Sequence, residues 1–372
     1  MAKYHRNTNG FIPSGVLLDL AMRNPDNLNL TRTLARTQEL WSGSAVRSSQ
    51  LFRFRGNGKA EREMYSAKNG FSLPGEKQRD ETGAAASDSV INECFENLGA
   101  IRDYYLTVHG RNSIDANGMT LIGCAHYGNA YNNAFWNSQY MVTGDGDGSM
   151  FRTFNLLNVW AHEMTHGVTE YAVPGGIDYY GQSGAANESF SDIGGANVES
   201  WKMGVKAKDY HWIVGKGIWV PAPAGSKGVR DGLRHMLRPG TAYNDPKLGR
   251  DRQPGHMKDY VKTSSDNGGV HTNSGIMNRF YAEFAISLDG EDWNSTMGVA
   301  AKVFYAARGS LNTSRPSFGQ IAYWALEACS ALYPEREKEL REKLQAAADK
   351  TGIAISKTAV DDQTPSADDE VA

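Results

Sequence analysis

Asn155-Leu156-Leu157-Asn158-Val159-Trp160-Ala161-His162-Glu163-Met164-Thr165-His166 is the stretch from which the rest of the chain is read. Its apolar residues recur at helical spacing, so His162 and His166 sit four residues apart on a helix. Four residues turn a helix by about 400°, which stacks the two imidazoles on one face, able to share a metal ion. Zinc takes imidazole nitrogen readily, and Glu163 falls beside the coordination position left open, where a carboxylate accepts a proton from water. With nine histidines in the chain, chance gives this five-residue pattern in about one such sequence per hundred, so the motif needs support from elsewhere.

A catalytic zinc requires a third protein ligand, and Glu188, in Asn187-Glu188-Ser189-Phe190-Ser191-Asp192 on the next predicted helix, is a candidate for it. Asp192, one turn on, would face the same way and accept the N–H of a ligand histidine. The alternative in which a third histidine follows closely fails, because residues 169 and 172 are Thr169 and Ala172. Further on, Asp266-Asn267-Gly268-Gly269-Val270-His271 places His271 before a helix with an acid five residues earlier. A carboxylate partner holds an imidazole in one tautomer and favours its cation, which suits stabilising an oxyanion.

Outward from these motifs, helical periods dominate after about residue 155: 155–171, 185–202, 272–287, 296–307, 317–332 and 335–350. The first half is mixed. Residues 12–41 read as helical with a break at Pro25, 88–109 as a long amphipathic helix, 120–125 and 139–143 as strands, and Lys77 to Ser87 as a polar surface loop. Residues 42–58, rich in Ser, Gly and Arg, have linker composition, and 357–372, acidic without aromatics, reads as a disordered tail. Asp145 and Asp147 lie in a glycine-rich turn, but Leu156 stands where an EF-hand would need a glutamate, so that loop reads as structural.

Composition narrows the classes. The chain has 372 residues, 40% hydrophobic and 22% charged, enough to bury a core over about two domains. Its 39 Lys and Arg against 42 Asp and Glu leave a net charge of −3, which argues against nucleic acid as a partner. Apolar runs stop short of the roughly eighteen residues of a membrane span. Cys94, Cys124 and Cys329 allow at most one disulfide. Val16-Leu17-Leu18 gives way at once to Asp19, so no secretory signal is read, and export without one is expected, with a cytoplasmic location as the alternative.

These residues together resemble the thermolysin family of zinc metalloproteases, most closely its short-propeptide protealysin branch. The resemblance spans about residues 60–356 and rests on the zinc helix, Asn132-Asn133-Ala134-Phe135-Trp136, Gly144-Asp145-Gly146-Asp147-Gly148, Gly184-Ala185-Ala186-Asn187-Glu188, and Asp266 through Gly275. Thermolysin is itself the usual example of a two-histidine, one-glutamate zinc site, so this ligand set is not independent of the resemblance. It implies an α+β, two-domain fold: a short helical propeptide and linker over 1–50, an N-terminal α/β catalytic domain over 51–171 ending in the zinc helix, a helical C-terminal catalytic domain over 172–356, and the acidic tail.

It further implies one catalytic Zn2+ on His162, His166 and Glu188, with Glu163 as general base and later proton donor. His271 and Tyr179 would stabilise the oxyanion, Asp266 would orient His271, and Asp192 and Asn187 would support the ligand histidines. Asn133 and Ala134 would bind substrate backbone, Arg234 a carbonyl on the leaving-group side, and Leu233 with Val159 an apolar pocket, giving cleavage before large hydrophobic residues. The activity implied is that of a neutral endopeptidase on protein or peptide substrates, monomeric and secreted. Phe11-Ile12-Pro13-Ser14-Gly15-Val16-Leu17 resembles a propeptide that covers the cleft until the chain is cut between Arg47 and Asn57. An aminopeptidase, or a silent zinc-bearing binding protein, is the alternative.

Two departures from the family bear on the site. The 22 positions from His166 to Glu188 exceed the family's spacing, with the extra residues near Val173-Pro174-Gly175-Gly176. Where calcium-binding relatives carry carboxylates this chain has Asn158, Ile213 and Lys216 beside Glu199, so the double Ca2+ site is expected to be altered or lost.

Overall fold

In the computed structural model, which describes residues 10–42 and 58–358, the order of elements follows the change in periodicity. Two helices come first, α1 (Ser14–Arg23) and α2 (Leu28–Ser42). The mixed portion is β1 (Arg62–Ser66), β2 (Glu76–Asp80), α3 (Ser89–His109), β3 (Leu121–Ala125), β4 (Ala134–Trp136) and β5 (Met141–Thr143). Two long helices follow, α4 (Leu157–Ala172) and α5 (Gly181–Met203). Short strands β6 (Ile213–Val214), β7 (Val229–Arg230), β8 (Arg234–His235), β9 (Tyr243–Asp245) and β10 (Gly249–Arg250) separate them from α6 (Asp266–Ser287), α7 (Met297–Gly309), α8 (Phe318–Leu332) and α9 (Glu337–Thr351). The architecture is an α/β N-terminal portion beside a mainly helical C-terminal one.

The N-terminal sheet has the order β2-β1-β3-β5-β4, parallel through β1, β3 and β5 and antiparallel at both margins. Helix α3 covers one face with Ile91, Cys94, Phe95, Leu98, Ile101 and Tyr105, the positions its helical period marks as apolar, all buried. Asp88 caps its first turn by accepting from Val90 N–H at 2.9 Å, and Gly110 ends it in the left-handed region at φ 63°. Strand β4 lies at the sheet edge beside α4, and this edge forms one wall of the cleft.

Helix α4 is buried from Asn158 to Thr169 and packs along α5. Two glycines permit that approach: a Cβ on Gly194 would lie 2.1 Å from Thr165 Oγ1, and one on Gly195 would lie 2.6 Å from the Asn158 carbonyl. Helix α6 begins with a run of positive φ at Asp266, Asn267, Gly268 and Gly269, residue types that tolerate it, and the regular helix follows.

The structure differs from the sequence reading at several points. The polar Lys77–Ser87 stretch is not all loop, because β2 pairs with β1 through residue 80. Every residue of β2 is polar, so it lacks the alternation that signals a strand; Lys77 instead pairs with Glu63 at 2.9 Å across the strands. Strands β1, β4 and β6 to β10 are additional to those read from the sequence, most of them being too short for periodicity. All three cysteines are free and buried. Among the described residues no helix is long and apolar enough to cross a membrane. The 43–57 linker and the tail beyond 358 lie outside the described residues.

Candidate active site

The imidazoles of His162 and His166 are fixed from behind. His162 Nδ1 is 2.8 Å from Asp192 Oδ1, and His166 Nδ1 is 2.9 Å from Asn187 Oδ1, both acceptors on α5. With Nδ1 donating, each neutral ring turns the lone pair of Nε2 forward, and the two Nε2 atoms lie 3.1 Å apart. Two lone pairs facing at that distance repel unless a cation lies between them. Glu188 completes the set, its carboxylate 3.5 Å from His162 Nε2 and 3.4 Å from His166 Nε2. One donor atom from each of the three residues falls within 4.8 Å of the others.

The burial of these groups fits a metal. Glu188 Oε2 and Glu163 Oε1 are buried without a protein hydrogen-bond partner, on residues 1% exposed. Burial holds the imidazoles down, to about 4 for His162 and about 3 for His166, so both are neutral ligands at neutral pH. The residues present therefore suit zinc in donor type and number.

Glu163 projects from the same turn toward the cleft, its Oε2 accepting the Trp136 backbone N–H at 3.0 Å. Burial, and then the charge of Glu188, raise its carboxyl well above the ordinary value. Opposite lies His271, whose Nδ1 is 2.7 Å from Asp266 Oδ1 and whose backbone N–H donates to Asp266 Oδ2 at 3.0 Å. The left-handed run at the start of α6 folds that carboxylate back onto the ring. Burial opposes the imidazolium, but Glu188 and Asp266 outweigh it and raise the pKa above 6.5. His271 Nε2 lies 3.4 Å from the Tyr179 hydroxyl, which donates to Glu188 Oε1.

Asp192 joins the two sides of the site. Beyond His162 it accepts from Arg234 Nε at 2.8 Å, Arg234 Nη2 at 2.7 Å and Asn278 Nδ2 at 2.7 Å. Burial would raise its carboxyl, yet Arg234 and His162 hold it well below the carboxylate range. Leu233, just before Arg234 on β8, and Val159 on α4 are buried in the core cluster that runs into the cleft.

The cleft contains part of the same chain. Phe11 donates its N–H to the Ala134 carbonyl at 2.9 Å, and Ile12 exchanges bonds with the Asn133 side chain at 2.8 and 3.1 Å. Arg234 Nη1 donates to the Phe11 carbonyl at 3.4 Å. The Phe11 ring lies edge-on to His162 at 5.2 Å, with the Arg234 guanidinium 5.0 Å from its centre, and Phe11 and Ile12 are fully buried. The segment thus lies against the outer edge of β4, held by one backbone hydrogen bond and by the Asn133 side chain. Helix α2 extends this cover: Thr33 Oγ1 accepts from Asn132 N–H at 3.0 Å, and Arg36 reaches the Tyr127 hydroxyl at 2.9 Å.

Of the site residues singled out from the sequence, the contacts above join the metal-site, oxyanion and backbone-binding residues around one cleft, and Leu233 and Val159 are buried in the core. The structure adds Asn278, Gln253 and the Trp136 N–H, which sequence reasoning misses. Asn278 stands seven residues beyond His271, two turns along α6, a spacing that places it on the same face. Gln253, which donates to the His271 carbonyl at 2.7 Å, comes from an irregular segment and gives no sequence signal. At the residues where the sequence leads one to expect an altered calcium site, Glu199 accepts from Asn158 at 2.9 Å and Tyr210 at 2.5 Å and lies 3.3 Å from His211, while Ile213 enters β6 and Lys216 is exposed. In the glycine-rich loop, Asp145 pairs with His126, and Asp147 accepts from the backbone of residues 149–151.

Residues 45–170 match the family model described as the thermolysin metallopeptidase catalytic domain, and residues 175–353 match that of its alpha-helical domain. The chain is 43% identical over 249 residues to an extracellular metalloprotease of Pectobacterium carotovorum subsp. carotovorum, covering 67% of this chain and 69% of the relative. It is 37% identical over 310 residues to protease PrtS of Photorhabdus sp. (strain Az29), covering 81% of each. Among solved structures it is similar to the precursor of protealysin, a metalloproteinase from Serratia proteamaculans, with a TM-score of 0.81 and 34% identity over 93% of this chain and 100% of that one.

Proposed function

The chain belongs to the thermolysin family of metallopeptidases, and from that premise we propose how its residues divide the work of a zinc-dependent neutral endopeptidase carrying its own propeptide. His162, His166 and Glu188 hold the zinc. When bound, the ion polarises the scissile carbonyl and makes water a nucleophile at neutral pH. Glu163 takes the proton of the attacking water on Oε1 and returns it to the departing amide nitrogen. His271 Nε2–H and the Tyr179 hydroxyl donate to the oxygen on which negative charge develops, and Asp266 keeps His271 cationic for that purpose. Asp192 and Asn187 hold the ligand rings.

Substrate backbone takes the place that Phe11 and Ile12 occupy, bonded to Ala134 O, the Asn133 side chain and Arg234. This is the observation that carries the assignment. It supports a preference for a large apolar side chain on the leaving-group side, in the pocket walled by Leu233 and Val159. It also supports residues 1–50 as propeptide and linker, acting as an intramolecular inhibitor, with 51–171 and 172–356 as the two catalytic domains. Cutting between Arg47 and Asn57 would release the inhibitor. The saturated hydrogen bonding of Glu199 supports loss of the family's double calcium site. We read the mature protein as a secreted monomer, in keeping with the extracellular metalloprotease among its relatives.

The test separates metal binding from proton transfer. Glu163→Gln should keep one zinc per chain by elemental analysis while casein hydrolysis falls by about a hundredfold or more. His162→Ala should lose the zinc as well. A Glu163→Gln chain that hydrolyses casein at the wild-type rate removes Glu163 from the proton-transfer role.

A further inference from the structure

Behind α4, on the side away from the cleft, two guanidinium groups are buried without an acid among the described residues. Arg308 of α7 is 3% exposed and Arg111, just beyond α3, is 7% exposed. Their described side-chain hydrogen bonds go to neutral groups alone: Arg111 to the Ile114 carbonyl and the Tyr305 hydroxyl, Arg308 Nη1 to Thr169 Oγ1 at 3.2 Å. Arg308 Nε is buried with no protein partner. The ring faces of Tyr305 and Phe190, 5.0 and 5.8 Å from the Arg308 guanidinium, ease its burial without cancelling the charge. Burial lowers the Arg308 pKa, and the strongest electrostatic influences on it come from Arg111 and three tyrosines. His109, stacked 4.0 Å from Tyr305, is pushed down to about 3 by burial and by the charges of Arg308, Lys302 and Arg111. The region is positive, and the described residues put no counter-charge in it.

Arg308 lines a cavity of about 20 Å³ together with Tyr104, Thr165, Asn197 and Tyr305. One water-sized sphere needs roughly 10–15 Å³, so this space has room for a water-sized guest, and a halide is the simplest anion of about that size. Water would satisfy the Arg308 Nε–H but leave the buried charge uncompensated. The Tyr305 hydroxyl accepts from Arg111 Nη1 at 3.3 Å and retains its own proton to donate.

We propose that this cavity binds chloride as the counter-ion of Arg308, with the nearby charge of Arg111 adding to the attraction. The anion braces α4 from behind, because Arg308 is bonded to Thr169, and the Tyr105 hydroxyl, at the cavity wall, is bonded to Thr165 at 2.6 Å. Both threonines flank His166 on the zinc helix, though neither touches the metal-donor atoms.

Two measurements on the full-length chain, carrying Glu163→Gln so that it stays one species, decide the matter. Crystals grown in sodium bromide should give an anomalous bromine peak between Arg308 Nε and the Tyr305 hydroxyl; a cavity without that peak overturns the proposal. In solution, the melting temperature should rise with the logarithm of chloride concentration beyond what sodium gluconate gives at equal ionic strength. Arg308→Met should abolish that difference. Equal stabilisation by the two salts overturns the proposal, whether or not the variant folds.

Discussion

Asp192 holds one metal-site imidazole with one oxygen and shares both oxygens with Arg234, which in turn reaches the segment in the cleft. A substitution there should therefore disturb metal and substrate together. Asp192→Asn is expected to weaken zinc affinity about 10–100-fold, read by chelator competition, and to raise KM for a casein-derived peptide. Unchanged zinc affinity would assign Asp192 to Arg234 alone. His126 gives a prediction on stability. Its two ring nitrogens face Asp145 at 2.9 Å and Asp88 at 3.0 Å, so both donate and the ring is an imidazolium. The hydrogen bond to Asp145 is the chief cause of a folded-state pKa above the ordinary 6.5. The folded state thus binds the proton more tightly: the stabilisation is complete below 6.5 and is lost as pH rises through the folded value. His126→Gln should flatten the fall in denaturant midpoint on that alkaline side, and an unaltered profile would contradict the assignment. His162, Glu163 and His166 are legible from sequence because helical spacing sets their relation, while Glu188 and His271 are reached through their own motifs together with the family resemblance. Asn278 and Gln253 act through contacts that only the folded chain creates.

At the scale of elements, the long helices follow largely from apolar period, since α3, α7, α8 and α9 each bury a face marked by that spacing, while α4 is buried all round from Asn158 to Thr169. The short strands do not, because two or three residues contain no period and β2 is held by charge pairs. The segment ahead of α1 has a fixed place too, although nothing in the local period of Phe11-Ile12 announces that it lies against β4. Its fit is tight: a Cβ on Gly10 would come 2.5 Å from Asn133 Nδ2 and 2.7 Å from the Ala134 carbonyl. Gly10→Ala should loosen the cover and raise peptide hydrolysis by the uncut precursor; equal basal rates would show the segment to be held elsewhere. Between α5 and β6, the donors on Glu199 leave little for a cation to bind. EGTA, added at fixed zinc, should leave the melting temperature unchanged, and a marked fall would restore a calcium site.

Across the whole molecule, the proposed assignment gives backbone recognition to the sheet edge at β4, the metal donors to the α4–α5 pair, and the oxyanion donors to α6 with Tyr179. Activity thus requires both portions, and the N-terminal segment closes the cleft between them. This division is readable in the sequence as a shift from mixed to helical periods near residue 155, whereas the identity of the blocking residues comes from packing. Self-release of that block is tested most directly by a time course of intact mass and casein hydrolysis, run on purified zinc-loaded chain beside Glu163→Ala. The wild type alone should shed a segment ending between Arg47 and Asn57 as activity rises, and a chelator should stop both. A wild-type chain that holds zinc, yet stays inactive after another protease has cut that linker, would contradict the assignment of this cleft as a zinc endopeptidase site under its own propeptide.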